Sequence, residues 1–228
     1  MTTTLNLYLQ GDEITVAQFS MRWRSTYRIM GVTSWTVGSC CRRDWNVATV
    51  IEMIQPNAGP QDAFLATPAD IAVFGGAAGA GKSWGLLMEC SRHLEVPDFG
   101  AVVFRRVFPS VTRQGGLWDT SQELYPQTGG LAFQSPTHEW RFPSGARVSF
   151  HHLEHDKHRL DWAGAQVPLI CFDQLEEFSE TQWWYLLSRN RSTCGVRPYI
   201  RATCNPVPPD DEVGGWLHRF LAWWIGDD

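Results

Sequence analysis

Residues 76–83 read Gly-Ala-Ala-Gly-Ala-Gly-Lys-Ser. The spacing G-x-x-x-x-G-K-[ST] belongs to a backbone cradle for a phosphate chain. Gly76, Gly79 and Gly81 permit tight turning, so that successive N–H groups point inward at the phosphates. Lys82 adds a positive charge for the outer phosphates, and Ser83 offers a hydroxyl to Mg²⁺. The positive end of a following helix would reinforce that field.

About 90 residues later comes "PLICFDQLEEF", residues 168–178. Asp173 ends an apolar run, where a second Mg²⁺ contact is expected. Hydrolysis also needs a group that handles the attacking water. The next residue, Gln174, orients water through hydrogen bonds but accepts no proton at pH 7. If the chain turns helical after Asp173, Glu176 and Glu177 face back along one side. Three readings stay open: Glu176 as base, Glu177 as base, or Gln174 acting alone. The two glutamates also suit a solvated helix start. Further on, "ATCNP" (202–206) puts Thr203 and Asn205 at the end of another apolar run. Ligands of open α/β sheets bind at such strand ends, although Asn-Pro is also an ordinary turn former. Charge developing during phosphoryl transfer calls for a cation. Arg105, Arg106, Arg189 and Arg191 are candidates, each equally able to form a structural salt bridge.

These groups need a scaffold. Apolar runs at 70–76, 101–104, 146–152, 168–172 and 199–206 predict five strands. The segments 82–94 and 179–191 predict helices, the second with Ser179 as N-cap. Strands alternating with helices predict a largely parallel sheet with helices on both faces. A short helix is expected at 46–54, stopped by Pro56. Residues 206–215 read as a loop, and a further helix starts after it.

The chain has 228 residues, a net charge of −5 and 43% hydrophobic residues. A core is therefore assured, and a global nucleic-acid signature is lacking. Local basic patches remain at Arg22, Arg24, Arg28, Arg42 and Arg43 and at Arg105 and Arg106. The six cysteines show no zinc or redox spacing, which suggests a reducing compartment. No secretory leader and no membrane span is evident. His152, His155 and His158 recur every third residue without cysteine nearby, and read as a polar surface loop.

Taken in order, "PQDAFL" (60–65), "VFGGAAGAGKS" (73–83), "VVFRRVFPSV" (102–111), "GGLWD" (115–119), "FPSGARVSF" (142–150), the segment 162–192 and "RPYIRATCNP" (197–206) resemble the ATPase domain of the large terminase subunit of tailed bacteriophages. The resemblance runs from about residue 56 to the C-terminus. It implies a P-loop NTPase fold of the additional-strand, RecA-like type: a three-layer α/β sandwich with a mostly parallel central sheet. Strand 199–203 should then lie between the phosphate-loop strand and the acidic strand. The division would be an N-terminal segment of uncertain structure (1–55), an ATPase core (56–206), and a linker with the start of a further element (207–228). The implied cofactors are ATP and Mg²⁺. Gln61 would recognise adenine, Lys82 and Ser83 would hold phosphate and Mg²⁺, and Asp173 would coordinate Mg²⁺. Thr203 and Asn205 would sense the γ-phosphate. The implied activity is ATP hydrolysis driving double-stranded viral DNA into a procapsid, in the cytoplasm of the infected bacterium and transiently at the portal. The implied partners are the portal protein, the small terminase subunit and further copies in a ring, one of which often supplies an arginine in trans. The family's nuclease half has no counterpart here. Related terminases often have Glu where this chain has Gln174, which leaves an ATP-binding module with weak or no turnover as an alternative. A P-loop small-molecule kinase is a second, with no account of "ATCNP".

Overall fold

The computed structural model describes residues 29–30 and 53–225. In chain order these form β1 (Ile29–Met30), β2 (Met53–Ile54), α1 (Pro60–Ala66), β3 (Ile71–Gly75), α2 (Lys82–Cys90), β4 (Gly100–Arg105), α3 (Phe108–Thr112) and α4 (Leu117–Leu124). There follow β5 (Leu131–Phe133), β6 (His138–Arg141), β7 (Arg147–His152), β8 (Leu169–Phe172), α5 (Glu180–Leu187), β9 (Tyr199–Cys204) and α6 (Trp216–Ile225).

Seven strands form one sheet in the order β3-β9-β8-β4-β7-β6-β5. The pairings from β3 through β7 are parallel, and β6 and β5 add an antiparallel edge. As expected, β9 is inserted between β3 and β8. The all-apolar runs serve both faces in turn, because successive side chains point to opposite sides of a strand. In β4, Val103 enters the core under α2 and α4, while Val102 and Phe104 enter the core under α5. In β8, Leu169 and Cys171 face the first core, and Ile170 and Phe172 face the second. Helices therefore cover the sheet on both sides, giving three layers.

Some limits differ from the sequence reading. The helix expected at 82–94 stops at Cys90. Pro97 disfavours helical backbone at the residue before it, and residues 91–97 run as turns. The helix expected to reach residue 191 stops at Leu187. There Asn190 Nδ2 donates to the carbonyls of Val167, Pro168 and Tyr199 at 2.9–3.2 Å, drawing the chain onto the strand ends. Most of the helix expected at 46–54 lies outside the described residues. Its last two residues are strand instead, pairing antiparallel with β1.

Residues 206–215 form a loop, after which Trp216 and Leu217 of α6 join the core under α5. No helix among the described residues is long and apolar enough to cross a membrane.

Candidate functional site

The strands β3, β8 and β9 deliver their C-terminal ends to one edge of the sheet. Gly76, Gly79 and Gly81 all have positive φ, 146°, 84° and 72°, which is the freedom the turning loop demands. Lys82 folds back over the loop and donates to the carbonyls of Gly76 (2.6 Å) and Ala77 (2.7 Å). Gln61 is 2% exposed and braces the loop from below. Its Nε2 donates to Gly81 O at 2.8 Å, and its Oε1 accepts from the Asn57 backbone at 2.6 Å. A Cβ on Gly81 would sit 3.0 Å from Gln61 Nε2, a tight approach that adds to the demand its positive φ makes for glycine.

Ser83 Oγ lies 3.0 and 3.1 Å from the two carboxylate oxygens of Asp173. Two motifs 90 residues apart thus meet in one oxygen-lined spot. A hydroxyl and a carboxylate are hard ligands of the kind Mg²⁺ takes alongside nucleotide phosphates, so these residues fit Mg²⁺ bound with a nucleotide. Among the described residues, no group of three or more His, Cys, Asp or Glu side chains is arranged to hold a metal unaided. His158 instead packs ring to ring with His152 (5.9 Å) and His155 (5.2 Å).

Asp173 is fully buried and heavily engaged. Thr203 Oγ1 donates to it at 2.6 Å and accepts from the Gln174 backbone N–H at 3.0 Å. Arg105, at the end of β4, forms an ion pair with Asp173 and also donates to Gln174 Oε1. Gln174 itself adopts a left-handed backbone, φ 63°. That turns the chain sharply into a single 3₁₀ turn, Leu175–Glu177, rather than a helix.

At about three residues per turn, neighbouring side chains diverge by about 120°, and the two glutamates are accordingly set apart. Glu176 is held by Asn205, through its backbone N–H (3.0 Å) and its Nδ2 (2.5 Å). Glu177 is half-buried, and among the described residues no hydrogen bond or ion pair engages its carboxylate. Burial pushes its carboxyl up; Arg105 and Arg106 oppose that, while Glu176 and Asp173 add to it. The loop before α6 passes directly over this turn, where a Cβ on Gly214 would lie 2.8 Å from the Glu176 carbonyl oxygen.

The arginine candidates separate clearly. Arg105 is in the site. Arg106 is occupied beside it, donating to Gln182 Oε1 (2.8 Å) and Leu153 O (3.1 Å) and so anchoring the N-terminus of α5. Arg189 and Arg191 are not brought to the site. Their backbones pair with Val167, just before the start of β8, at the opposite edge of the sheet. The Arg105–Asp173 pair was not anticipated, yet its signal was present: a charged residue closing an apolar strand, as Asp173 also does.

The family model describing the N-terminal part of the terminase large subunit, T4-like-virus type, matches residues 73–227. No curated protein matches the chain significantly. Among solved structures, the large terminase of a thermophilic bacteriophage superposes with a TM-score of 0.54 at 14% identity, covering 68% of this chain and 40% of that one. The bacteriophage HK97 large terminase gives 0.54 at 12% identity, covering 74% and 37%. The thermophilic-phage enzyme in complex with ATP-gamma-S gives 0.50 at 16%, covering 66% and 38%. The chain spans about 40% of the length of these solved terminases. The likeness identifies the fold as that of a P-loop NTPase.

Proposed function

Because this chain belongs to the terminase large subunit family, T4-like-virus type, N-terminal part, we propose that it is the ATP-hydrolysing motor portion of a viral double-stranded DNA packaging machine. The observation that carries the reading is Ser83 Oγ set against both oxygens of Asp173, directly after the Lys82 loop. The loop amides and Lys82 would hold the phosphates. Ser83 and Asp173 would hold Mg²⁺, which when bound neutralises phosphate charge. Gln61, fastened under the loop, would shape the base end of the site. Thr203 bridges Asp173 and Gln174, so it registers any change at either. Asn205 grips Glu176 from the same strand end.

Glu177 is the general base in this reading, since its carboxylate is free to accept a proton while that of Glu176 is committed to Asn205. Gln174 would orient the water. Arg105 would balance the negative charge of Asp173. The pH dependence has a definite sign. A carboxyl raised above its ordinary value of 4.5 is the active carboxylate only above its own pKa. Turnover should therefore fall on acidification through a pKa higher than 4.5, and that limb should vanish in Glu177→Gln.

Translocation would follow from ring assembly on DNA at the portal, with the small terminase subunit delivering the genome in the host cytoplasm. Arg189 and Arg191, on the far edge, would reach a nucleotide only in a neighbouring copy. Phosphate release from the purified chain, with and without DNA, tests the proposal. Lys82→Ala should lower turnover by at least about 10²-fold, as for removal of one preorganised charge-stabilising donor. A full-length assembly with portal and DNA that binds ATP without hydrolysing it would sink the motor reading and favour a nucleotide-binding module.

A further inference from the structure

The polar groups at the ends of β8 and β9 can be counted proton by proton. Thr203 Oγ1 has a single proton, and it goes to Asp173 Oδ1 at 2.6 Å. The same oxygen accepts the Gln174 backbone N–H at 3.0 Å. Asn205 gives its backbone N–H and one Nδ2 proton to the two carboxylate oxygens of Glu176. The two residues expected to sense a γ-phosphate are therefore committed to neighbouring carboxylates. Thr203 has no proton left, and Asn205 keeps one N–H on an amide already tied down.

Gln174 differs. An arginine only donates. The Arg105 guanidinium set against the Gln174 side chain therefore fixes that amide, with Oε1 toward Arg105 and Nε2 away from it. The same guanidinium pairs with Asp173 Oδ2, an oxygen 3.1 Å from Ser83 Oγ. Arg105 thus holds the Gln174 amide one guanidinium away from the carboxylate that meets Ser83. Among the described residues no acceptor takes the two Nε2 protons, and Gln174 is only partly buried, so they are not sealed from a ligand. An amide whose oxygen is taken offers donors alone. One can serve a water; the other suits an anion. Mg²⁺ in sites of this class bridges the β- and γ-oxygens, so a donor beside Asp173 lies toward the outermost phosphate.

We propose, resting on the nucleotide reading of this site, that the Gln174 side-chain amide donates to the terminal phosphate of a nucleoside triphosphate and so distinguishes it from the diphosphate. Arg105 is the positioning residue that turns the amide the right way round. Loss of the terminal phosphate then reaches Thr203 through the Gln174 backbone N–H, not by direct contact.

The test is calorimetric titration of the chain with Mg²⁺ and ATP-gamma-S, and separately with Mg²⁺ and ADP. The parent chain should bind the triphosphate more tightly. Gln174→Glu keeps an oxygen for Arg105 but removes both donors. Gln174→Met removes the donors without adding charge. Only the lost donors are common to the two. Each variant should lower triphosphate affinity about tenfold or more, the value of one hydrogen bond to a charged group, and leave ADP affinity nearly unchanged. In the parent, the side-chain NH₂ resonances of Gln174, identified by their loss in Gln174→Glu, should shift with the triphosphate and not with ADP. A parent chain that binds both nucleotides equally would overturn the proposal, as would an unaltered ratio of affinities in both variants. A fall in only one variant would trace to the oxygen or to the added charge, and would overturn it too. Binding of neither nucleotide would remove the nucleotide reading itself, whereas binding of both at an unaltered ratio removes the role of Gln174 alone.

Discussion

Glu177→Gln should reduce ATP turnover by about 10²–10⁴-fold, the usual contribution of a positioned general base, while leaving ATP affinity almost unchanged. Glu176→Gln should behave differently. Glu176 accepts two hydrogen bonds from Asn205. A Gln there keeps one acceptor but turns an amide N–H toward a donor. Its expected cost is stability, on the order of 1–3 kcal/mol for the unpaired donor, with turnover falling far less than in the Glu177 variant. Glu177→Gln should not destabilise the fold at pH 7. Burial disfavours the charged form of Glu177, so a neutral isostere removes a penalty. The sign is that of a raised carboxyl: its charge costs stability above its folded pKa, and that cost disappears as pH falls through it. Steady-state kinetics beside thermal melts of both variants decide the point. A base at Glu176, or Gln174 acting alone, would give the reverse order or equal mild effects.

The second large effect is expected at Asp173. In Asp173→Ala the Arg105 guanidinium, on a residue only 8% exposed, loses its counter-ion. Removing one partner of a buried ion pair typically costs about 3–5 kcal/mol, roughly 6–20 °C in melting temperature for a chain of this size. Turnover should disappear with the carboxylate that meets Ser83. The double variant Asp173→Ala, Arg105→Met removes both charges and should recover much of the lost stability without recovering activity. A single variant that melts like the parent would show that Arg105 is not confined as described.

The candidate site was legible because its residues are local in sequence. Gly76, Gly79, Gly81, Lys82 and Ser83 are contiguous or nearly so, and Asp173 announces itself at the end of "LICF". Parallel-strand topology then forces such strand ends together. How Glu176 and Glu177 are set apart was not legible, because it hinges on one backbone angle. Gln174 at φ 63° converts the expected helix start into a 3₁₀ turn and parts the two side chains. Arg106 and Arg189 read alike in sequence. Only the fold shows one tied to Gln182 and the other beside the start of β8. The pair β5–β6 escaped notice because its strands have three and four residues, too short for alternation to register.

The close passage of the loop at Gly214 has a mechanical consequence. The turn carrying both glutamates is fastened to the α6 end of the chain at two points: Gly214 against the Glu176 carbonyl, and the Trp216 indole N–H on Phe178 O at 3.0 Å. Closely packed contacts have no slack. Any rotation of that turn, whether driven from Asn205 or from Glu177, must therefore displace the loop or pivot α6 on α5. The linkage works like a rocker arm, with the acidic turn at one end and a tryptophan-rich helix at the other.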